Sequence, residues 1–175
     1  MIEDVNGHGT AVAGVIASQM DDKGIAGIAP DVELLVIKCD ANDKGEFKSS
    51  SDIVFAIYYA IEQKADVINM SLGGPHSRDI EDALQLAVDS DIIPVASAGN
   101  DGTAEPHYPA AYETTIGVGA LNDSSWEIAN YSNYGVNTDI MAPGTALTTI
   151  IGGGYSYKNG TSISCPMAAA AVALY

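Results

Sequence analysis

The chain has 175 residues, 47% of them apolar and 17% charged, with a net charge of −16 from 7 Lys+Arg against 23 Asp+Glu. That length gives one domain as the prior, and the apolar share suits a buried α/β core rather than a disordered chain. The negative field argues against nucleic acid and anionic membrane as partners, and leaves solubility, calcium or cationic peptides as its uses.

The N-terminal string MIEDVNGHGT has neither a basic n-region nor an apolar h-region. No signal peptide or membrane span is therefore expected, and the chain as written is expected to be cytoplasmic. An export signal of a longer parent would lie before Met1. A helix-like run of small residues follows at 8–20, where Gly9 and Gly14 allow close backbone approach. Buried strands are predicted at 32–38 (VELLVIK), 66–71 (DVINMS), 91–97 (DIIPVAS), 114–120 (TTIGVGA) and 138–141. The first three lack clean polar alternation, as strands covered on both faces should. Ile53, Ile57 and Ile61 make a helical stripe behind a cap region at 49–52, and Ile80, Ala83, Leu84, Ala87 and Val88 make another. An Ala-rich helical run reaches Tyr175. Strands alternating with helices imply right-handed crossovers and a parallel sheet, with ligands at the C-terminal ends of the strands. The strings SLGG and SAGN fall at such ends.

Cys39 and Cys165 are too few for a disulfide framework and read as small buried thiols. Pro166 directly after Cys165 argues against a cysteine nucleophile. The string GTSISCP at 160–166 instead puts Ser162 at the start of a helix, where unpaired N–H groups and the helix dipole favour negative charge. A serine nucleophile needs that field. GHGTAVAG at 7–14 offers His8 as its base. Asn100 closes VASAGN at a strand end, where a side-chain amide can donate to a developing oxyanion. Taken alone, Asn-Asp-Gly at 100–102 reads as a turn rather than as a donor. His76 and His107 belong to no such string and read as loop residues.

GHGTAVAG, INMSLGG, VASAGN, YSNYG with IMAPG, and NGTSISCP occur in the order seen in subtilisin-like serine proteases. The chain resembles that family from about residue 4 to residue 175. The resemblance implies a three-layer α/β fold, with a mainly parallel sheet and helices on both faces, incomplete at both ends. It implies a partial peptidase domain over 1–175 that hydrolyses polypeptides through an acyl-enzyme. Ser162 would be the nucleophile, His8 the general base and Asn100 the oxyanion donor. Ser71, Leu72 and Gly73, with Ser97, Ala98 and Gly99, would flank a bound peptide held by strand addition. His107 and Asp101 would lie near the primary specificity pocket. Other catalytic folds fit less well. Ser164 stands where a G-x-S-x-G elbow needs its second Gly, and no H-E-x-x-H or C-x-x-C string offers zinc.

The chain departs from the family pattern in its triad. The family orders its triad Asp, His, Ser, and this chain begins only seven residues before His8. Asp4 matches an acidic position ahead of the His motif, not the triad Asp. Loss of that Asp costs subtilisin about 3 × 10⁴ in kcat. Truncation of a complete protease is the favoured account. The alternative is a weakly active or inactive relative that binds peptides. Ala11 and Met167 replace histidines common in the family. No cofactor is required for the chemistry. Calcium is a side expectation in the loop QMDDKGI at 19–25, through Asp21. Oligomeric state is not legible.

Overall fold

The computed structural model describes residues 3–39 and 49–175. In chain order its elements are α1 (His8–Ala17), α2 (Ser50–Glu62), β1 (Val67–Met70), α3 (Arg78–Asp89), β2 (Ile93–Ser97), β3 (Ile116–Leu121), β4 (Ile140–Pro143), β5 (Thr145–Thr149), β6 (Tyr155–Asn159) and α4 (Thr161–Ala173). β1 to β4 pair in parallel, in the order β1-β2-β3-β4. β5 and β6 form a separate antiparallel hairpin.

The strands are short and apolar because both faces are covered. Side chains alternate across a strand, so neighbours enter different cores. Ile68 and Ala96 join a core with Ile57 of α2 and with Ile80, Ala83, Leu84 and Ala87 of α3. Val67 and Val95 join the opposite core with Val118 and with Cys165, Ala168 and Ala169 of α4. The result is the expected three layers, helices on both faces of a mainly parallel sheet. α2 starts at its cap region, where Asp52 Oδ2 accepts the Ser49 N–H at 3.2 Å, one arm of a capping box.

Two of the expected strands differ from the sequence reading. Residues 32–38 carry no strand, and among the described residues β1 ends the sheet on its side. Leu34, Leu35 and Val36 are 39%, 43% and 56% exposed. An apolar run states a wish for burial, but a strand exists only through hydrogen bonds to a neighbour, and the run does not name one. The strand expected at 138–141 begins two residues later, at Ile140. Asp139 explains the shift. Its N–H donates to Gly117 O at 2.9 Å and its Oδ2 accepts the Gly117 N–H at 2.7 Å, so a side chain closes the ladder there.

The β5–β6 hairpin was not anticipated. Its signal is the run Gly152, Gly153 and Gly154, all at positive φ, between two short alternating strings. Cys39 is also less buried than expected, while Cys165 is fully enclosed.

Leu84 is 0% exposed at the centre of the α2–α3 core, and Leu86 on the same helix is 46% exposed. Leu84→Ala is expected to cost about 3 kcal/mol of stability and Leu86→Ala less than about 0.5 kcal/mol, read as shifts of the urea midpoint.

Candidate active site

Gly160, at φ 132, turns the chain from β6 into α4, and Thr161 and Ser162 are the first two residues of that helix. Thr161 is fully buried. Its N–H and its hydroxyl both donate to Asn100 Oδ1, at 2.9 and 3.1 Å, and its Oγ1 accepts the Gly99 N–H at 3.2 Å. Two donors on Oδ1 fix which way the amide points, so Nδ2 is the face of Asn100 turned away from Thr161. A Cβ added at Gly160 would stand 3.6 Å from Asn100 Oδ1, 3.8 Å from its Nδ2 and 3.8 Å from the Ser162 nitrogen. The amide of Asn100 and the main-chain nitrogen of Ser162 therefore both lie beside the side-chain position that Gly160 leaves empty. The first turn of α4 carries no acidic side chain. The N–H of Thr161 is bonded to Asn100 Oδ1 and those of Ile163 and Ser164 to Gly160 O, which leaves the Ser162 N–H at the positive end of the helix dipole.

Ser162 is half-buried and faces the end of β1. Its Oγ–H donates to the Ser71 carbonyl at 3.4 Å, and the Ser71 hydroxyl donates back to the Ser162 carbonyl at 3.0 Å.

His8 is the first residue of α1 and is exposed. α1 packs directly against α4 and β5, so His8 and Ser162 each stand at the N-terminal end of one of two packed helices. The hairpin fixes α1. Thr148 Oγ1 donates to Ala11 O at 2.6 Å and Thr149 Oγ1 to Thr10 O at 2.8 Å. Gly14 makes this approach possible, because a Cβ there would collide with both hydroxyls. Asp4 holds the start of the helix. Oδ1 accepts the Gly7 N–H at 2.9 Å, and Oδ2 accepts the Thr10 N–H at 2.7 Å and the Thr10 hydroxyl at 2.6 Å. Burial alone would raise the Asp4 carboxyl, but the hydrogen bonds from Thr10, Gly7 and Asn6 outweigh it and hold the group below its ordinary value.

The two segments expected to flank a peptide differ in how much main chain they leave open. Ser97, Ala98 and Gly99 are buried. The Ala98 N–H donates to Val118 O, the Gly99 N–H to Thr161, and Gly99 O accepts from Asn133. Ser71 and Leu72 are half-buried and Gly73 is exposed. The ring of His107 lies against both segments: a Cβ at Gly73 would run into it, and one at Gly99 would stand 3.0 Å from it. His107 is thus brought to the segments, while Asp101 is exposed with its N–H on Asn133 Oδ1 at 2.9 Å.

The profile described as "Subtilase family" matches residues 1–175. The chain belongs to the subtilase family. It is 42% identical to the "Intracellular serine protease" of Paenibacillus polymyxa, over 99% of this chain and 55% of that protein. It is 42% identical to "Subtilisin E" of Bacillus subtilis (strain 168), over 98% of this chain and 46% of that protein. The chain thus spans about half the length of the curated relatives it matches. Among solved structures it is similar to the "S218A mutant of the protease domain of PatA", with a TM-score of 0.86 at 29% identity, covering 97% of this chain and 65% of that one.

Asp21 of this subtilase, the expected calcium ligand, is exposed. Its loop follows the C-terminal end of α1, a helix of ten residues and so about 15 Å long. Its Oδ1 accepts the Lys23 N–H at 3.2 Å. Among the described residues no three His, Cys, Asp or Glu side chains gather as a metal cage. The sequence reading also missed Thr161, whose buried hydroxyl orients Asn100. Its only sequence signal is its place between Gly160 and Ser162.

Two expectations follow from these environments. The Asp4 carboxyl lies below 3.8 in the fold, so its stabilisation is complete above that value and is lost as pH falls through the lower folded value. Asp4→Ala should cost about 1 kcal/mol at pH 7, and the gap to wild type should narrow in melts as the pH is lowered through the depressed folded value. Cys165 is enclosed, and burial pushes its thiol up to about 12. Iodoacetamide at pH 8 should leave Cys165 unmodified in the native protein and alkylate it in urea, as read by peptide mass.

Proposed function

We propose that the chain provides the serine, its base and the oxyanion site of a serine endopeptidase acting on polypeptides. One observation carries this reading. The Asn100 amide and the Ser162 main-chain nitrogen lie together beside the side-chain position that Gly160 leaves empty, at the head of a helix with no acid in its first turn. That is the arrangement acyl transfer needs, because charge develops on the carbonyl oxygen only as the nucleophile adds.

In the proposed reaction His8 takes the Ser162 proton as Oγ adds to the scissile carbonyl. The oxyanion is held by Asn100 Nδ2 and the Ser162 N–H. His8 then gives the proton to the leaving amine, and water, with His8 as base, releases the acyl group from Ser162. The substrate main chain would pair along residues 71–73 and 97–99. Most of the pairing falls to residues 71–73, because the other segment already uses several of its groups internally. The relatives named for intracellular and for subtilisin-type proteases support the reaction class. No helix among the described residues is long and apolar enough to cross a membrane.

A fluorophosphonate probe tests the reading. Labelling should vanish in Ser162→Ala and fall sharply in His8→Ala. Asn100→Ala should slow it by about 10²–10³-fold, the usual cost of one oxyanion donor. Labelling that survives Ser162→Ala refutes the assignment. Peptide binding without any labelling would leave a non-catalytic binding module.

A further inference from the structure

The carbonyl of Ser162 occupies an unusual place in α4. In an α-helix the carbonyl of one residue accepts the N–H four residues on, which for Ser162 is position 166. That residue is Pro166, inside the helix, and proline has no N–H to give. The main-chain oxygen of the proposed nucleophile is therefore left without its ladder donor, in a part of the structure where an unpaired carbonyl is costly.

The donor comes from outside the helix. The Ser71 hydroxyl reaches the Ser162 carbonyl at 3.0 Å. Ser71 Oγ in turn accepts from Asn69 Nδ2 at 3.1 Å. Asn69 Oδ1 accepts from the Cys165 thiol at 3.2 Å. The circuit closes, since Cys165 lies one turn after Ser162 on α4. Its directions are consistent throughout: the thiol donates, the amide accepts and donates, and the hydroxyl accepts and donates. The high thiol value of Cys165 keeps that first donor protonated.

We propose that Ser71 and Asn69 are positioning residues that set the place of Ser162 by supplying the hydrogen bond Pro166 cannot. The proposal rests on the reading of Ser162 as the nucleophile. Two points one turn apart on α4 are tied to the end of β1, so the register of Ser162 over the sheet follows from Ser71 rather than from the helix ladder. The return bond from Ser162 Oγ to the Ser71 carbonyl is long, 3.4 Å, so the hydroxyl is released to a base at little cost while its backbone stays fixed.

The test uses the protein at its native length, with a peptide substrate and the fluorophosphonate probe. Ser71→Ala keeps the main chain of residues 71–73 and removes only the hydroxyl. It should lower kcat about ten- to a hundredfold with KM within about twofold, since small misplacements of a nucleophile act on the chemical step. Ser71→Thr, which keeps the hydroxyl, should recover most of the loss. Pro166→Ala returns a helical N–H to the Ser162 carbonyl, so Ser71→Ala should cost at least about fivefold less in that background. An equal cost in both backgrounds, or a loss confined to KM, overturns the proposal. Where Ser71→Ala does not fold, Asn69→Val carries the same test: a kcat loss at constant KM supports it and an unchanged kcat overturns it. Turnover that survives Ser162→Ala would instead sink the nucleophile assignment, and that measurement needs no Ser71 variant.

Discussion

The head of α4 is tied to two strand ends at once, and the rest of the site depends on that attachment. Thr161 is bonded to Asn100 and Gly99 beyond β2, and Ser162 to Ser71 beyond β1. The body of the helix packs on β1, β2, β3 and β4. Its Ala168, Ala169 and Ala170 are small enough to let it lie close against them. One element thus belongs to the core along its length and to the site at its tip. A helix N-terminus is electropositive anywhere, but here it is partly removed from water and fixed in direction, so its N–H groups need no reorganisation to meet a negative oxygen. The chain carries a net charge of −16, yet none of it falls in the first turn of α4.

His8, the proposed base, is placed by a different route. α1 sits on the α4 side, and its first residues are gathered by the Asp4 carboxylate through three donors. The hairpin then presses two threonine hydroxyls onto carbonyls of α1. These bonds hold His8 at an exposed helix tip without burying its ring. For the proton carrier proposed at His8, that arrangement gives a fixed origin and access to water.

The two segments proposed to flank a peptide show how glycine and histidine share one volume. Gly73 and Gly99 lack side chains where the ring of His107 lies. The same ring position ties the loop after β1 to the loop after β2, and the Gly74–Tyr108 bridge joins them again. Buried amides complete the frame. Asn133 Oδ1 takes the N–H groups of Asp101 and Thr103, and Asn137 Oδ1 takes that of His107. Each satisfies a loop N–H group that a helix or sheet would otherwise have paired.

Much of this was legible in the chain. Short apolar runs located four of the five expected strands, apolar stripes of period 3.6 located α2 and α3, and runs of small residues located α1 and α4, because burial on one or both faces writes itself into local composition and spacing. The ordered strings around His8, Asn100 and Ser162 identified the family, since each carries residues whose roles are local. Three things were decided only by the tertiary structure. Residues 32–38 carry no strand because pairing is a property of a neighbour, not of an apolar run. The Asn100 amide is oriented by Thr161, 61 residues away, and the Ser162 carbonyl is met by Ser71, 91 residues away. A sequence fixes which donors and acceptors a chain owns and which surfaces it must bury. Which donor meets which acceptor across such separations depends on how layers stack, and that is set by packing.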